Sequence, residues 1–210
     1  MKRAIVSCGA AYARVDGVRC LTNFSTGETG AILALELMSR GWEVLCLRGY
    51  FSRWEMPGGC EVEGFTTNES LLEIFRRFAR QAQAVLHAAA LCDYEVQGGE
   101  GWPKKIRSDL GGLDLSLKPA LRVLPLLRGL FPEAAIVGWK YELDGDGSEA
   151  LARGREQLLK CGTDACVVNG LACGGKFGIL KAGVDEPVWC EDKVGVARHL
   201  VDWLEKRMGG

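Results

Sequence analysis

At 210 residues, with 48% apolar and 25% charged residues, the chain has enough material for one α/β domain with a substantial core. A net charge of −1 gives no bulk attraction to nucleic acid or to an anionic membrane surface. No apolar run approaches the roughly 20 residues of a membrane span, and Met1 to Arg3 leads into a strand-like run rather than a signal peptide. The nine cysteines are odd in number, include no C-x-x-C pair and sit largely inside apolar runs, as at Cys8, Cys46 and Cys166. With only His87 and His199 beside them, they read as buried, reduced thiols of a cytoplasmic protein, not as a disulfide framework or a metal site.

In chain order, Arg3 to Cys8 is a short β-rich strand ending at Gly9. The segment from Gly9 to Phe24 is longer than an ordinary βα connection and carries Asp16, Arg19 and Asn23. Ser25 followed by Glu28 has the spacing of a capping box, so a helix is expected to start at Ser25 and to end near Gly41. Its first turn, Ser25-Thr26-Gly27, would then present free N–H groups and a positive dipole end to an anion. Gly27 and Gly30 carry no side chain to hold a phosphate away.

Trp42 to Leu47 and Cys60 to Phe65 read as strands separated by irregular surface. Asn68 is placed as the cap of a helix reaching about Gln81, and Ala84 to Ala90 is a buried parallel strand interrupted only by His87. Asp93 stands just beyond that strand. A glycine-rich excursion around residues 95–117, with the basic run Lys104 to Arg107, is expected to be flexible; Leu113, Leu115 and Leu117 within it alternate as in a half-buried strand. Helices are expected at Leu121 to Leu130, Ser148 to Cys161 and Lys193 to Arg207. Strands are expected at Ala134 to Gly138, Ala165 to Val168, Phe177 to Leu180 and Val188 to Cys190. Strands alternating with helices, without linker or repeat, predict a single α/β domain over residues 1–210: a doubly wound, Rossmann-like, mostly parallel sheet.

In such a sheet the ligand site lies outside the carboxyl ends of the strands, and there the polar residues recur: Arg19 and Asn23 after the first strand, then Asp93, Lys140, Glu142 and Asn169. The first turn, Gly9-Ala10-Ala11-Tyr12, lacks G-x-G-x-x-G, and the second strand ends in Leu47-Arg48-Gly49 without an acid, which speaks against NAD and leaves NADP formally open. Neither a Walker P-loop nor a G-x-S-x-G elbow is present.

Taken together, these stretches resemble the phosphopantothenoylcysteine synthetase (phosphopantothenate–cysteine ligase) family of coenzyme A biosynthesis. Ser7 to Arg19 is similar to the family loop T-A-G-G-T-R-E-P-(I/L)-D-P-V-R, keeping Gly9, Asp16, Val18 and Arg19. Leu21 to Gly30 resembles I-S-N-x-S-S-G-x-x-G through Asn23, Ser25, Gly27 and Gly30. Ala88 to Tyr94 resembles A-A-V-A-D-Y, Lys105-Ile106-Arg107-Ser108 resembles K-I-K-K, Val137 to Glu142 resembles V-G-F-K-x-E, and Val167-Val168-Asn169 resembles V-A-N. The matches follow family order across nearly the whole chain.

What the resemblance implies is a ligase that activates the carboxylate of 4′-phosphopantothenate with CTP or ATP and Mg²⁺, then joins it to the amine of cysteine. Carried over residue by residue, Asn23 and Lys105 would be catalytic. Arg19, Asn23 and the backbone at Ala90 would bind the acyl substrate. Gly9, Ser25, Thr26, Gly27, Asp93, Lys105, Lys140 and Asn169 would form the nucleotide site, with no protein-held metal. A homodimer built partly by the excursion is implied, as is a separate decarboxylase, since the bacterial family is often fused to a flavin-dependent one that these residues do not contain.

Each residue also has a simpler reading: Arg19 and Asp16 as a pair within one loop, Asp93 as a turn residue, Lys105 as a solvated charge, Asn23 as a helix-entry hydrogen bonder. Three departures stand out. T-R-E-P has become Ala11-Tyr12-Ala13-Arg14, Glu28 stands where the family often has a cation, and N-P-D-(I/L) is missing near Leu121 to Leu124. They keep open a diverged paralogue: a related ligase, or a non-catalytic nucleotide- or pantetheine-binding protein.

Overall fold

The computed structural model describes residues 2–97, 105–107 and 111–209. Its centre is an eight-stranded sheet built from β1 (Arg3–Cys8), β4 (Glu43–Gly49), β5 (Glu61–Phe65), β6 (Ala84–His87), β9 (Ala135–Tyr141), β10 (Ala165–Asn169), β11 (Phe177–Lys181) and β12 (Val184–Cys190). Six strands run parallel in the order β5-β4-β1-β6-β9-β10, and β11 and β12 extend the sheet antiparallel. That parallel order is the doubly wound arrangement whose direction of growth reverses beside β1, between β1 and β6.

The strand periodicity explains the two cores. In β1, Ala4 and Val6 face one side and Ile5 the other. The first face is covered by α1 (Glu28–Ser39), through Leu33, Ala34 and Leu37, and by α5 (Lys193–Arg207), through Val196, Leu200 and Leu204. The second is covered by α2 (Asn68–Arg77) and α3 (Leu124–Leu130), whose Leu71, Phe75 and Leu127 pack on Leu45, Val85 and Ile136. Farther along that layer, α4 (Gly147–Cys161) lays Ala150 and Leu158 on Cys166, Val168 and Leu180. Each fully buried aliphatic or aromatic side chain contributes about 1.5–3 kcal/mol. α4 has Asp146 as its cap and ends at Gly162 in the left-handed region.

Several expectations are corrected. The helix after the first loop does not start at Ser25; its cap is Gly27, at φ 86°, with no side-chain capping bond. Glu28 pairs instead with Lys193 at the start of α5, so a carboxylate read as a local cap is a long-range tie. Thr67, not Asn68, caps α2 through a reciprocal box with Ser70. The helix ends at Arg77 rather than Gln81, and the fourth core strand ends at His87.

Two small antiparallel pairs stand beside the sheet: β2 (Tyr12–Arg14) with β3 (Cys20–Thr22), and β7 (Tyr94–Val96) with β8 (Leu117–Pro119). The first turns the expected long loop into a hairpin. The second closes the base of the excursion, and of Leu113, Leu115 and Leu117 only Leu117 joins a strand. Leu113 is exposed, while Leu115 packs with Val15, Val96 and Ile106. The flexibility expected of the excursion falls in part on residues 98–104 and 108–110, which lie outside the described residues.

Candidate functional site

Pairing between β1 and β6 continues past their ends. Ala88 N–H donates to Ser7 (3.0 Å), Ala90 N–H to the Gly9 carbonyl (2.8 Å) and Ala11 N–H to the Ala90 carbonyl (3.0 Å). Gly9 and Ala90 are thereby neighbours at the reversal point of the sheet. Beneath them, Ser7 and His87 face each other in register, Ser7 Oγ lying 2.6 Å from His87 Nδ1. Burial pushes the His87 imidazole down to about 4, so it is neutral over the physiological range.

The glycines at the start of α1 are there for close approach within the protein. A Cβ on Gly30 would lie 2.2 Å from Cys8 Cβ, so this glycine lets α1 rest on β1. A Cβ on Gly27 would lie 2.1 Å from the buried Ser52 Oγ, in the loop after β4. That loop is bound to the helix entry: the Thr26 carbonyl accepts from Arg53 N–H (3.0 Å), Trp54 N–H (3.3 Å) and Ser52 Oγ (3.3 Å). Thr26 Oγ1 takes the Glu28 N–H at 3.4 Å, and Ser25 N–H turns back to the Asn23 carbonyl at 3.0 Å. Ser25, Thr26 and Gly27 therefore form a tight bend leading into a helix whose N-cap residue, Gly27, has no side chain to cap it.

Asn23 crosses to the neighbouring strand end, its Nδ2 donating to the Leu91 carbonyl at 2.8 Å. Two residues on, Asp93 is exposed, its carbonyl holding Ala120 N–H at 2.9 Å. This corner is fastened by Asn68, only 3% exposed, whose Nδ2 reaches the carbonyls of Cys92 and Leu121 (2.8 Å each) while its Oδ1 accepts from Cys92 N–H (3.2 Å). A cavity of about 180 Å³ opens alongside, lined among others by Tyr12, Arg14, Asn68, Glu69, Cys92 and Glu95.

Arg19 and Asp16 do pair, with Arg19 Nη2 2.9 Å from Asp16 Oδ2, and the pair does more than close a loop. Both residues grip Ile106, Asp16 Oδ2 accepting its N–H at 3.0 Å and Arg19 donating to its carbonyl at 2.6 Å. Lys105, exposed, is the residue just before Ile106. The Ile106 N–H, then those of Val18 and Arg19 and the guanidinium, hold the Asp16 carboxyl below the usual carboxylate range against the opposing effect of burial.

Lys140, one residue before the end of β9, and Asn169, the last of β10, lie farther along the same edge. Lys140 Nζ lies 3.2 Å from Glu142 Oε1, Arg153 Nε lies 2.7 Å from Glu142 Oε2, and the Asn169 carbonyl accepts Glu142 N–H at 2.8 Å. β9 adjoins β6 and β10 lies beyond β9, so neither strand is next to β1.

The edge thus gathers Gly9, Asn23, Ala90 and Asp93 around the reversal point, places Arg19 on the hairpin beside it with Lys105 on the segment held against that hairpin, and sets Lys140 and Asn169 apart. The sequence reading missed Ser52, Asn68 as a fastener and the Ser7–His87 pair. Only His87 carried a signal, as the one polar residue in an apolar strand.

Fold and edge define a doubly wound α/β protein with a ligand rim beside its first strand. The chain belongs to the family described as the DNA/pantothenate metabolism flavoprotein C-terminal domain, matched over residues 1–207. It is similar to the coenzyme A biosynthesis bifunctional protein CoaBC of Thermococcus kodakarensis, 31% identical over 173 residues that cover 81% of this chain and 41% of that protein. The CoaBC of Mycobacterium tuberculosis is 26% identical over all of this chain and 53% of its own length, so the chain spans about half the length of these relatives or less. Among solved structures, the DNA/pantothenate metabolism flavoprotein from Streptococcus pneumoniae superposes with a TM-score of 0.85 at 20% identity, covering 99% of this chain and 100% of that one. A Cab2 mutant in complex with phosphopantothenate-cysteine gives 0.80 at 18% identity, over 99% of this chain and 87% of that one. At these identities the two structures establish the shared fold.

Proposed function

We propose that this chain is a phosphopantothenate–cysteine ligase. The carboxylate of 4′-phosphopantothenate attacks the α-phosphorus of CTP or ATP, pyrophosphate leaves, and the amine of cysteine displaces the nucleoside monophosphate from the acyl carbonyl, losing a proton. The observation that carries the reading is Asn23 bridged to Leu91, in the segment that follows β6 at the reversal point, beside a helix start whose N-cap is a glycine, in a chain that matches its family over residues 1–207. A relative named for coenzyme A biosynthesis and a structural neighbour holding phosphopantothenate-cysteine support the substrate class.

In this reading the Asn23 amide and Arg19 orient the acyl group against the backbone at Ala90. The bend at Ser25, Thr26 and Gly27 faces phosphate, with Gly9 beneath it, and Lys105 neutralises charge on the departing pyrophosphate. Lys140 and Asn169 bound the far side of the nucleotide pocket. Among the described residues no group of three or more His, Cys, Asp or Glu is arranged to hold a metal. Mg²⁺ fits this site as a companion of the triphosphate, with Asp93 as the nearby carboxylate, because that ion commonly binds through phosphates and one or two carboxylates. When bound, it supplies positive charge to the phosphate oxygens.

A homodimer belongs to the same proposal, supported by Tyr94 (57%), Leu113 (45%) and Leu117 (44%), exposed at the base of the excursion. A cytoplasmic location and a separate decarboxylase supplying nothing to this site complete it. Among the described residues no helix is long and apolar enough to cross a membrane.

A second reading, a diverged ligase or a non-catalytic nucleotide- or pantetheine-binding protein, draws on the first loop. Ala11 and Ala13, where the family carries Thr and Glu, are buried at 0% and 6% exposure and present no functional group to the edge. Pyrophosphate release with Mg²⁺, 4′-phosphopantothenate and cysteine, offering CTP and ATP separately, decides between them. Release that requires phosphopantothenate is the expected result and names the nucleotide. Silence with both nucleotides in folded protein overturns the ligase reading.

A further inference from the structure

The Asp16 carboxylate has no exposed side-chain surface, although it sits at the tip of a hairpin where solvent is close by. Burying a carboxylate there is unfavourable unless hydrogen bonds replace its water, and four do. Oδ1 takes the N–H groups of Val18 and Arg19 at 2.8 Å each, which shapes the turn between β2 and β3. A turn needs no more than that. Oδ2 is spent elsewhere, on the Arg19 guanidinium and on Ile106 N–H, 90 residues away in sequence. Arg19 completes the grip at the Ile106 carbonyl, so that two side chains satisfy both polar backbone groups of one residue, as a neighbouring strand would. The Ile106 side chain, 8% exposed, packs on Val15 and Val96 beneath it.

Arg19 leads through β3 to Asn23, which is bonded to the Leu91 carbonyl in the segment that follows β6. A short series of direct contacts therefore links the reversal point of the sheet to the residue next to Lys105. We propose that Asp16, acting with Arg19 through the Ile106 backbone, is a positioning residue that fixes Lys105 relative to the ligand edge. The inference rests on the ligase reading for what Lys105 does, but not for the anchor itself.

Two readouts keep these apart. Amide exchange at Ile106, followed by NMR, reads the anchor without any turnover: in Asp16→Asn it accelerates at least about tenfold while β1 and β6 amides keep their protection. Turnover reads the consequence. Asp16→Asn lowers kcat about ten- to a hundredfold, the scale expected when a catalytic group loses its placement. Adding Lys105→Ala to that variant costs little further, because the two residues act as one unit. Since Asp16 also shapes the hairpin, Ile106→Pro serves as a second variant: it removes the donated N–H, leaves the turn intact, and gives the same loss of kcat. Unchanged Ile106 exchange in Asp16→Asn overturns the anchor. Losses from Asp16→Asn and Lys105→Ala that simply multiply overturn the positioning. A wild-type protein that releases no pyrophosphate removes the ligase reading and the catalytic half of this inference, while the exchange result still judges the anchor.

Discussion

The centre of the sheet and the pair of small antiparallel appendages solve the same problem, placing polar groups at one edge, by opposite means. Around β1 and β6 the placement is made by continuous backbone pairing and by close contacts such as Gly30 on Cys8, with apolar layers on both faces. At the hairpin and the excursion the apolar support is one four-residue cluster, and position is set by side chains reaching far along the chain: Asp16 and Arg19 to Ile106, Asn23 to Leu91, Asn68 to Cys92 and Leu121. The lesson is that the core decides where the site is, while a handful of hydrogen bonds decide how well its parts are registered.

The sharpest way to break that contrast is to remove core volume. Phe75 is fully buried against Phe131 and His87, and Phe75→Ala is expected to cost about 3–5 kcal/mol in urea unfolding. A loss as small as that of an appendage substitution would contradict the division drawn here. The next effect depends on pH. An unfolded histidine titrates at about 6.5. With the folded value lowered to about 4, the unfolded state binds more protons between these pH values. Stability contributed by neutral His87 is present above about pH 6.5 and is lost as pH falls toward 4, on the order of 3 kcal/mol in full. Unfolding measured at pH 7 and at pH 4.5 should show a smaller drop in His87→Gln than in wild type; parallel drops would mean His87 already carries its proton in the fold.

Between core and appendage stands Asn68→Ala, which leaves the Cys92 and Leu121 carbonyls and the Cys92 N–H without this partner. About 1–3 kcal/mol should be lost, detectable by thermal unfolding. Ile106→Ala is expected to move the global transition by less than about 0.5 kcal/mol, since its segment can detach without opening the sheet, yet to raise cleavage by added protease near residue 106. A global loss as large as that of Phe75→Ala would place the excursion in the core. Last, Asn23→Ala should leave stability unchanged within about 0.5 kcal/mol and abolish product formation. Unchanged turnover would remove Asn23 from the site.

Much of the polar edge was legible because polar residues follow strand ends, and strand ends are marked by hydrophobic runs giving way to polar residues. Gly9, Asn23, Asp93, Lys140 and Asn169 were all found at the carboxyl edge in this way. Local capping was less readable. Ser25 with Glu28 has capping-box spacing, but the carboxylate found a better partner in Lys193, 165 residues on. Asn68 was read as a cap because asparagine favours that position, and the neighbouring Thr67 took it with Ser70 while the amide turned inward. Ser52 carried no sequence signal, being a buried hydroxyl in an irregular loop.

By itself the sequence determined the bounds of β1 and of α5, the alternation of strands and helices, and the edge at which the polar residues collect. These follow from periodicity and from the limited conformations of glycine and proline, which act over a few residues. Only the tertiary structure decided the strand order around β1, the hairpin hidden in the first loop, and the partnership of Asp16 and Arg19 with Ile106. Those depend on contacts between residues dozens of positions apart, and nothing in a local pattern selects one distant partner over another until the sheet has brought them within hydrogen-bonding reach.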